Sequence, residues 1–206
     1  THIGHSEKVF NMKRLLLILI LTLSFQTLVK ADDIRDFEIE GMSIGDSALD
    51  YFTEKEIKDN IMSNYYKNKK FTSVEFNRDK RFATYENVGF NFLTKDNNYI
   101  MESISGAILC PKNLSRCKDL KEDIKSDISE QFKNLKKNTY SKNHRADKSG
   151  KSKFSHDLYE YENGDMIIIE LINWSKEITK KNGWTDNVNL SVRSNKFNQF
   201  LGIAFK

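Results

Sequence analysis

The sequence predicts an α+β protein: an antiparallel β-sheet, laid out as two meanders and packed against one long amphipathic helix, with short N-terminal helices and a C-terminal helix. Three observations carry this expectation. Two regions, 71–109 and 156–193, alternate apolar and polar residues at period two. Between them Leu120, Ile124, Ile128, Phe132 and Leu135 recur at spacings of four and three on a charged background, the mark of a helix with one apolar face. Runs of neighbouring strands separated by a helix belong to antiparallel α+β domains rather than to doubly wound sheets.

The elements follow in order. Phe37 and Ile39 alternate, the chain breaks at Gly41 and Gly45, and Asp46 or Ser47 is placed to cap a short helix. Thr53 with Glu56 three residues on predicts a capping box for a second helix carrying Ile57 and Ile61. Strands are expected over 71–76, 82–93 and 99–109, the last two joined by the polar turn KDNN. After the long helix come strands over 156–161 and 165–174 around Asn163-Gly164, a strong hairpin signal. A second Asn-Gly, Asn182-Gly183, is read as the turn to a strand over 188–193, and Phe197, Phe200, Leu201 and Ala204 fit a closing helix.

The first thirty-one residues read as an addition to this domain. Residues 1–11 are expected to be an upstream artefact, and residues 12–31 form an export signal. Lys13 and Arg14 supply its charge, the eleven residues 15–25 its apolar run, and Val29-Lys30-Ala31 a cleavage site. Spanning a bilayer takes about twenty apolar residues. No transmembrane segment is therefore expected after cleavage, and residues 32–206 form a single domain in the periplasm or outside the cell.

Cleavage removes four basic residues (Lys8, Lys13, Arg14, Lys30) and one acidic residue (Glu7), leaving 29 basic against 28 acidic. A nucleic-acid binder needs a surplus of positive charge, so no nucleic acid is expected as partner. Cys110 and Cys117 are expected to form a structural disulfide, because two thiols without a nearby histidine complete no zinc site. No metal and no cofactor are expected.

Gly150-Lys151-Ser152 matches the end of a nucleotide-binding P-loop, but the glycine required five residues earlier is Arg145. No nucleotide is expected there. Residues 136–153 nevertheless hold seven basic residues against Asp147 alone, which predicts a solvated loop able to meet an anion. His156 and Asp157 are adjacent on a strand and so face opposite ways, and the chain holds no H-E-x-x-H. No catalytic residue is assigned. Tyr65-Tyr66, Trp174 and Trp184 are candidates for an aromatic platform, with Trp184 set in a polar loop.

FEIEGMSIGDSALDYF, ADKSGKS, NWSKEI and NVNLSVRSNKF, scattered over residues 32–206, resemble an uncharacterised family of small exported, signal-peptide-bearing bacterial proteins. The resemblance implies a periplasmic protein in which the GKS stretch belongs to the scaffold, and it assigns no functional residue. The expectation is therefore a binding or interaction protein. Lys142, Arg145, Lys148, Lys151, Lys153 and Trp184 contact an envelope protein, a glycan or an anionic lipid. A small hydrolase using carboxylates and a purely structural envelope component are the alternatives.

Overall fold

The computed structural model describes residues 33–132 and 134–205. The expected signal and cleavage site lie outside them. Seven strands form one sheet: β1 (Phe71–Asn77), β2 (Asn87–Leu93), β3 (Ser103–Leu109), β4 (Lys136–Asn143), β5 (Lys153–Glu160), β6 (Met166–Asn173) and β7 (Asn187–Arg193). Their spatial order is β1-β2-β3-β7-β6-β5-β4, and every neighbouring pair is antiparallel. Among the described residues four α-helices accompany them: α1 (Glu54–Asp59), α2 (Leu114–Gln131), α3 (Lys176–Asn182) and α4 (Asn195–Leu201). The protein is thus α+β, with the last strand inserted in the middle of the sheet beside β3.

One face of the sheet is the apolar core. Val74, Phe90, Ile104, Val192, Ile167 and Tyr159 form a single row across six strands, and each is buried. Period-two alternation puts these β-branched and aromatic side chains on the same side. Helix α2 lies over β6 and β7, with Cys117, Lys121, Ile124 and Ile128 turned inward at helical spacing. The N-terminal segment covers the same face elsewhere: Ile34, Ile39, Met42 and Ala48 are buried, and the Phe52 ring stacks on Phe76 at 4.4 Å. Helix α1 begins with the expected capping box between Thr53 and Glu56 and buries Ile57.

A buried ion pair pins α2 to β5. Lys121 Nζ lies 2.7 Å from Asp157 Oδ2 and 2.9 Å from Ser155 Oγ, while Thr139 donates to Asp157 Oδ1 at 2.6 Å. Burial pushes the Asp157 carboxyl up, but the hydrogen bonds and charge of Lys121, with Thr139 and Lys125, outweigh it and hold the group below its ordinary value. Cys110 and Cys117 form a disulfide that ties the end of β3 to the first turns of α2.

Three expectations need correction. Residues 136–143, read as part of a basic loop, are the edge strand β4. Seven of its eight residues are exposed, so it buries no face that would print an alternating pattern, and its lysines suit an edge that must resist pairing. Strand β2 begins at Asn87 rather than at residue 82, because the Glu40 carboxylate gathers the amides of Ala83, Thr84 and Tyr85 at 2.7–3.0 Å into a turn. Asn182-Gly183 does not turn one strand into the next. It ends α3, which Ser175 caps, with Gly183 in the left-handed region at φ +72°.

Gly106 sits in the core-facing layer beneath Tyr85, and a Cβ there would meet the Tyr85 ring at 2.4 Å. Gly106→Ala is expected to lower stability by about 1–3 kcal/mol through overpacking. Urea unfolding of the variant measures the loss, and an unchanged midpoint would show that the ring moves aside freely.

Candidate binding face

The opposite face of the sheet is built differently. On β3 and β7 it presents Ser103, Ser105 and Ala107 beside Asn189, Ser191 and Arg193, a floor of small and polar residues. One end is closed by an apolar cluster in which α4 and the C-terminal residues bring Phe197, Phe200 and Ala204 onto Tyr66 and Phe71. The rest carries partly exposed polar and aromatic side chains.

Register assembles the central row. Tyr140, His156, Glu170 and Asn189 stand opposite one another on β4, β5, β6 and β7. Tyr140 Oη lies 2.6 Å from His156 Nδ1, and His156 Nε2 is bound to the Glu170 carboxylate. Burial alone would raise Glu170, but the hydrogen bond and charge of His156, with Arg193 and His144 adding to them, hold it below the ordinary carboxylate range. Burial raises Tyr140, which keeps its hydroxyl protonated.

Six rings run along this end of the sheet. Trp184 packs on Trp174 at 4.6 Å between centroids, Trp174 on His144 at 4.3 Å, and His144 on Phe154 at 5.9 Å. Phe154 meets His156 at 4.8 Å, and His156 meets Tyr140 at 5.0 Å. Trp184 is 41 % exposed, so the strip ends in an indole open to solvent. Burial lowers His144, which stands in the middle of the strip. Arg145, next in the chain, turns toward the second aromatic group and lies 3.8 Å over the Phe205 ring, which in turn touches Tyr65.

The GKS loop is organised by an internal anion. Asp147 accepts the amides of Ser149 and Ser152, both at 2.9 Å, and the hydroxyls of the same two serines at 2.6 and 2.7 Å. These bonds hold its carboxyl far below the usual range. The Ser152 hydroxyl also accepts the amide of Ser175, the cap of α3, at 2.9 Å. The amides that would cradle a phosphate are thus occupied by the chain's own carboxylate, while the Trp174 amide donates to Asp186 Oδ1 at 2.7 Å.

The six residues singled out from the sequence are not all brought together. Lys142 lies on the open face, 5.3 Å over the Tyr140 ring, and Arg145 and Trp184 lie at its aromatic groups. Lys148 is exposed on the loop, while Lys151 pairs with Glu177 at 2.7 Å. Lys153 does not join them: alternation sets it with Ser155 on the helix side, where it lines a small groove with Leu114 and Lys118. Sequence reasoning missed Tyr140, His144, Phe154, His156, Glu170 and Arg193.

The geometry bears on the carboxylate hydrolase. Both His156 nitrogens are engaged, which leaves none to activate a nucleophile. Burial raises Glu75, but β1 and β6 are four strands apart, about 19 Å at the usual spacing. Catalytic carboxylate pairs stand roughly 5–9.5 Å apart. A groove of about 320 Å³ at the sheet end holds Asp33, Glu102 and Asp165. Asp33 is bound to Arg35, Glu102 to Ser194 and Lys196, and Asp165 to the Asn195 amide. The Arg35 hydrogen bonds hold Asp33 low, the opposite of what a proton donor needs. Among the described residues no group of three or more His, Cys, Asp or Glu side chains is placed to hold a metal ion.

Comparison with protein-family models, with curated proteins and with solved structures finds no match to the chain.

Because Asp147 is depressed in the folded state, its stabilisation is fully present above the unfolded value of about 3.9 and fades as pH falls through the folded value. Asp147→Asn is therefore expected to lower the urea midpoint at pH 7, with the gap to the parent protein closing on acidification below pH ~3. A gap independent of pH would assign the loss to something other than the carboxylate's charge.

Proposed function

We propose that this chain is an exported binding protein whose open sheet face recognises an acidic glycan of the cell envelope. The single observation that carries the reading is the unbroken strip from Trp184 through Trp174, His144 and Phe154 to His156 and Tyr140, flanked by Lys142, Arg145 and Lys148. Flat, partly exposed rings offer an apolar surface for the faces of sugar rings, and cations at the border attract their acidic groups. With the export signal removed, 29 basic residues stand against 28 acidic ones, which places that attraction in the patch rather than in the whole molecule.

Export is supported by the signal pattern, by the disulfide and by the resemblance to exported proteins. No helix among the described residues is long and apolar enough to cross a membrane. The aromatic strip favours a glycan over a bare anionic lipid surface, whose headgroups need cations but not a row of rings.

Trp174 and Trp184 are the only tryptophans in the chain, so intrinsic fluorescence reports on the strip alone. Titration with a polyuronate oligosaccharide is expected to change that emission saturably, with affinity falling as salt rises. Trp184→Ala is expected to weaken binding about 10-fold, or ~1.4 kcal/mol. An oligosaccharide that binds both proteins equally, or neither, would sink the reading.

A further inference from the structure

The sheet has two edges, and the chain finishes them differently. Beyond β1, residues 60–62 run alongside as a further short length of extended chain. Met62 donates its amide to Ser73 O at 2.9 Å, Glu75 donates to Asn60 O at 3.1 Å, and Ile61 bridges Val74. Among the described residues β4 receives no such cover. It pairs with β5 over all eight of its residues in unbroken register, and seven of the eight are exposed.

Which of its groups face outward follows from alternation. The His144 amide donates to Ser152 O at 2.8 Å, one step beyond the pairing of Asn143 with Lys153. Bonded and non-bonded pairs alternate along an antiparallel ladder, so Lys136, Asn138, Tyr140 and Lys142 bond to β5. Lys137, Thr139, Ser141 and Asn143 turn their amides and carbonyls away from the sheet, and these groups have no partner among the described residues. Of the usual protections of such an edge, which are proline, a bulge, a covering segment or charge, β4 shows only charge.

That charge has one sign. Strand β4 carries Lys136, Lys137 and Lys142 and no carboxylate. Lys136 pairs with Glu160 of the neighbouring strand at 3.2 Å, whereas Lys137 and Lys142 lie over the Tyr159 and Tyr140 rings and reach no carboxylate among the described residues. Like charges opposite one another destabilise a strand pair, and opposite charges stabilise it. The lysines therefore oppose a second copy of β4 and leave the edge open to a strand of the other sign.

We infer that β4 is a docking edge for an acidic, extended peptide segment of a partner protein, which adds to the sheet as a further strand. The backbone groups of Lys137, Thr139, Ser141 and Asn143 supply the hydrogen bonds, and Lys137 and Lys142, on opposite faces, select carboxylate side chains. The inference goes beyond the glycan-binding reading and does not rest on it, because a backbone edge carries it rather than the rings.

The probe is a capped peptide as long as β4 in which glutamate and threonine alternate. In the free protein, hydrogen exchange read by NMR is expected to be slow at Asn138, Tyr140 and Lys142 and fast at Lys137, Thr139, Ser141 and Asn143. Saturating peptide is expected to slow the second set by at least about 10-fold. Replacing glutamate by lysine in the peptide, or N-methylating its backbone along one edge, is expected to weaken binding at least ~10-fold, while methylation along the other edge is tolerated. Ser141→Pro removes an outward amide and keeps the pairing with β5. It is expected to lose the peptide while slow exchange at Asn138 and Tyr140 persists.

Fast exchange at the four outward amides in excess peptide would overturn the inference. So would equal affinity for the parent peptide and both methylated ones, which would leave only contact between side-chain charges. Protection of the four amides that rises with protein concentration in the absence of peptide would give the edge to a second copy instead. Should Ser141→Pro not fold, the methylated peptides decide the matter on the parent protein.

Discussion

The register of β5 between β4 and β6 decides what both faces of the sheet become. His156 stands opposite Glu170, and Asp157, the next residue, stands opposite Ile169. One of the pair enters the polar row of the open face, and the other meets Lys121 beneath α2. A slip of a single residue would exchange them, setting Asp157 beside Glu170 and leaving Lys121 without its carboxylate. Two buried like charges and one unpaired ammonium would cost far more than any gain in backbone pairing. The ion pair between Lys121 and Asp157 thus acts as a register lock, whatever its net contribution to stability. The same lock aligns Tyr140, His156, Glu170 and Asn189 on the far side.

Why the two faces differ so much follows from what covers them. The core face is roofed by α2 and by the N-terminal segment, and its cross-strand row from Val74 to Tyr159 is apolar throughout. The open face is covered by α4 at the end where that helix folds back on Phe71, and Ser103 and Ser191 of its floor are buried as well. Elsewhere it is floored by serine, alanine and asparagine, side chains too short to pack a second core. Tyr140, Phe154 and His156 stand on β4 and β5, so their spacing is fixed by backbone hydrogen bonds, whereas His144, Trp174 and Trp184 lie outside the strands.

Legibility in the sequence tracked burial. Strands with one buried face, such as β1 with Val74 and Phe76 or β7 with Val188, Leu190 and Val192, announced themselves by alternation. Helix α2 did so by its spacing, although it ends at Gln131 and leaves Phe132 and Leu135 outside it, α1 by the Thr53 and Glu56 capping box, and the disulfide by its two cysteines. Strand β4 did not, because an edge strand exposed on both faces carries no periodic signal. Asn182-Gly183 was ambiguous for a conformational reason: the left-handed glycine that makes a hairpin turn also ends a helix, and only the Ser175 cap decides between them. The candidate site was the least legible part. Trp184 and the lysines stood out as local oddities, whereas Tyr140, His156, Glu170 and Asn189 are 14 to 19 residues apart and meet only once the register is known.

The GKS loop shows how a local motif and a global role diverge. Its amides and hydroxyls are arranged to hold an anion, as the resemblance to a phosphate loop suggests, and the anion they hold is Asp147. An internal carboxylate never dissociates, so the loop is ordered before any ligand arrives, and the entropy of ordering it is spent in folding rather than in binding. Ser152 carries this order on to Ser175, the cap of α3. Lys151 and Glu170 are themselves engaged, by Glu177 and His156. Amides and hydroxyls already committed to Asp147 are not left for an outside anion, so the motif that resembles a phosphate loop is accounted for by the fold itself.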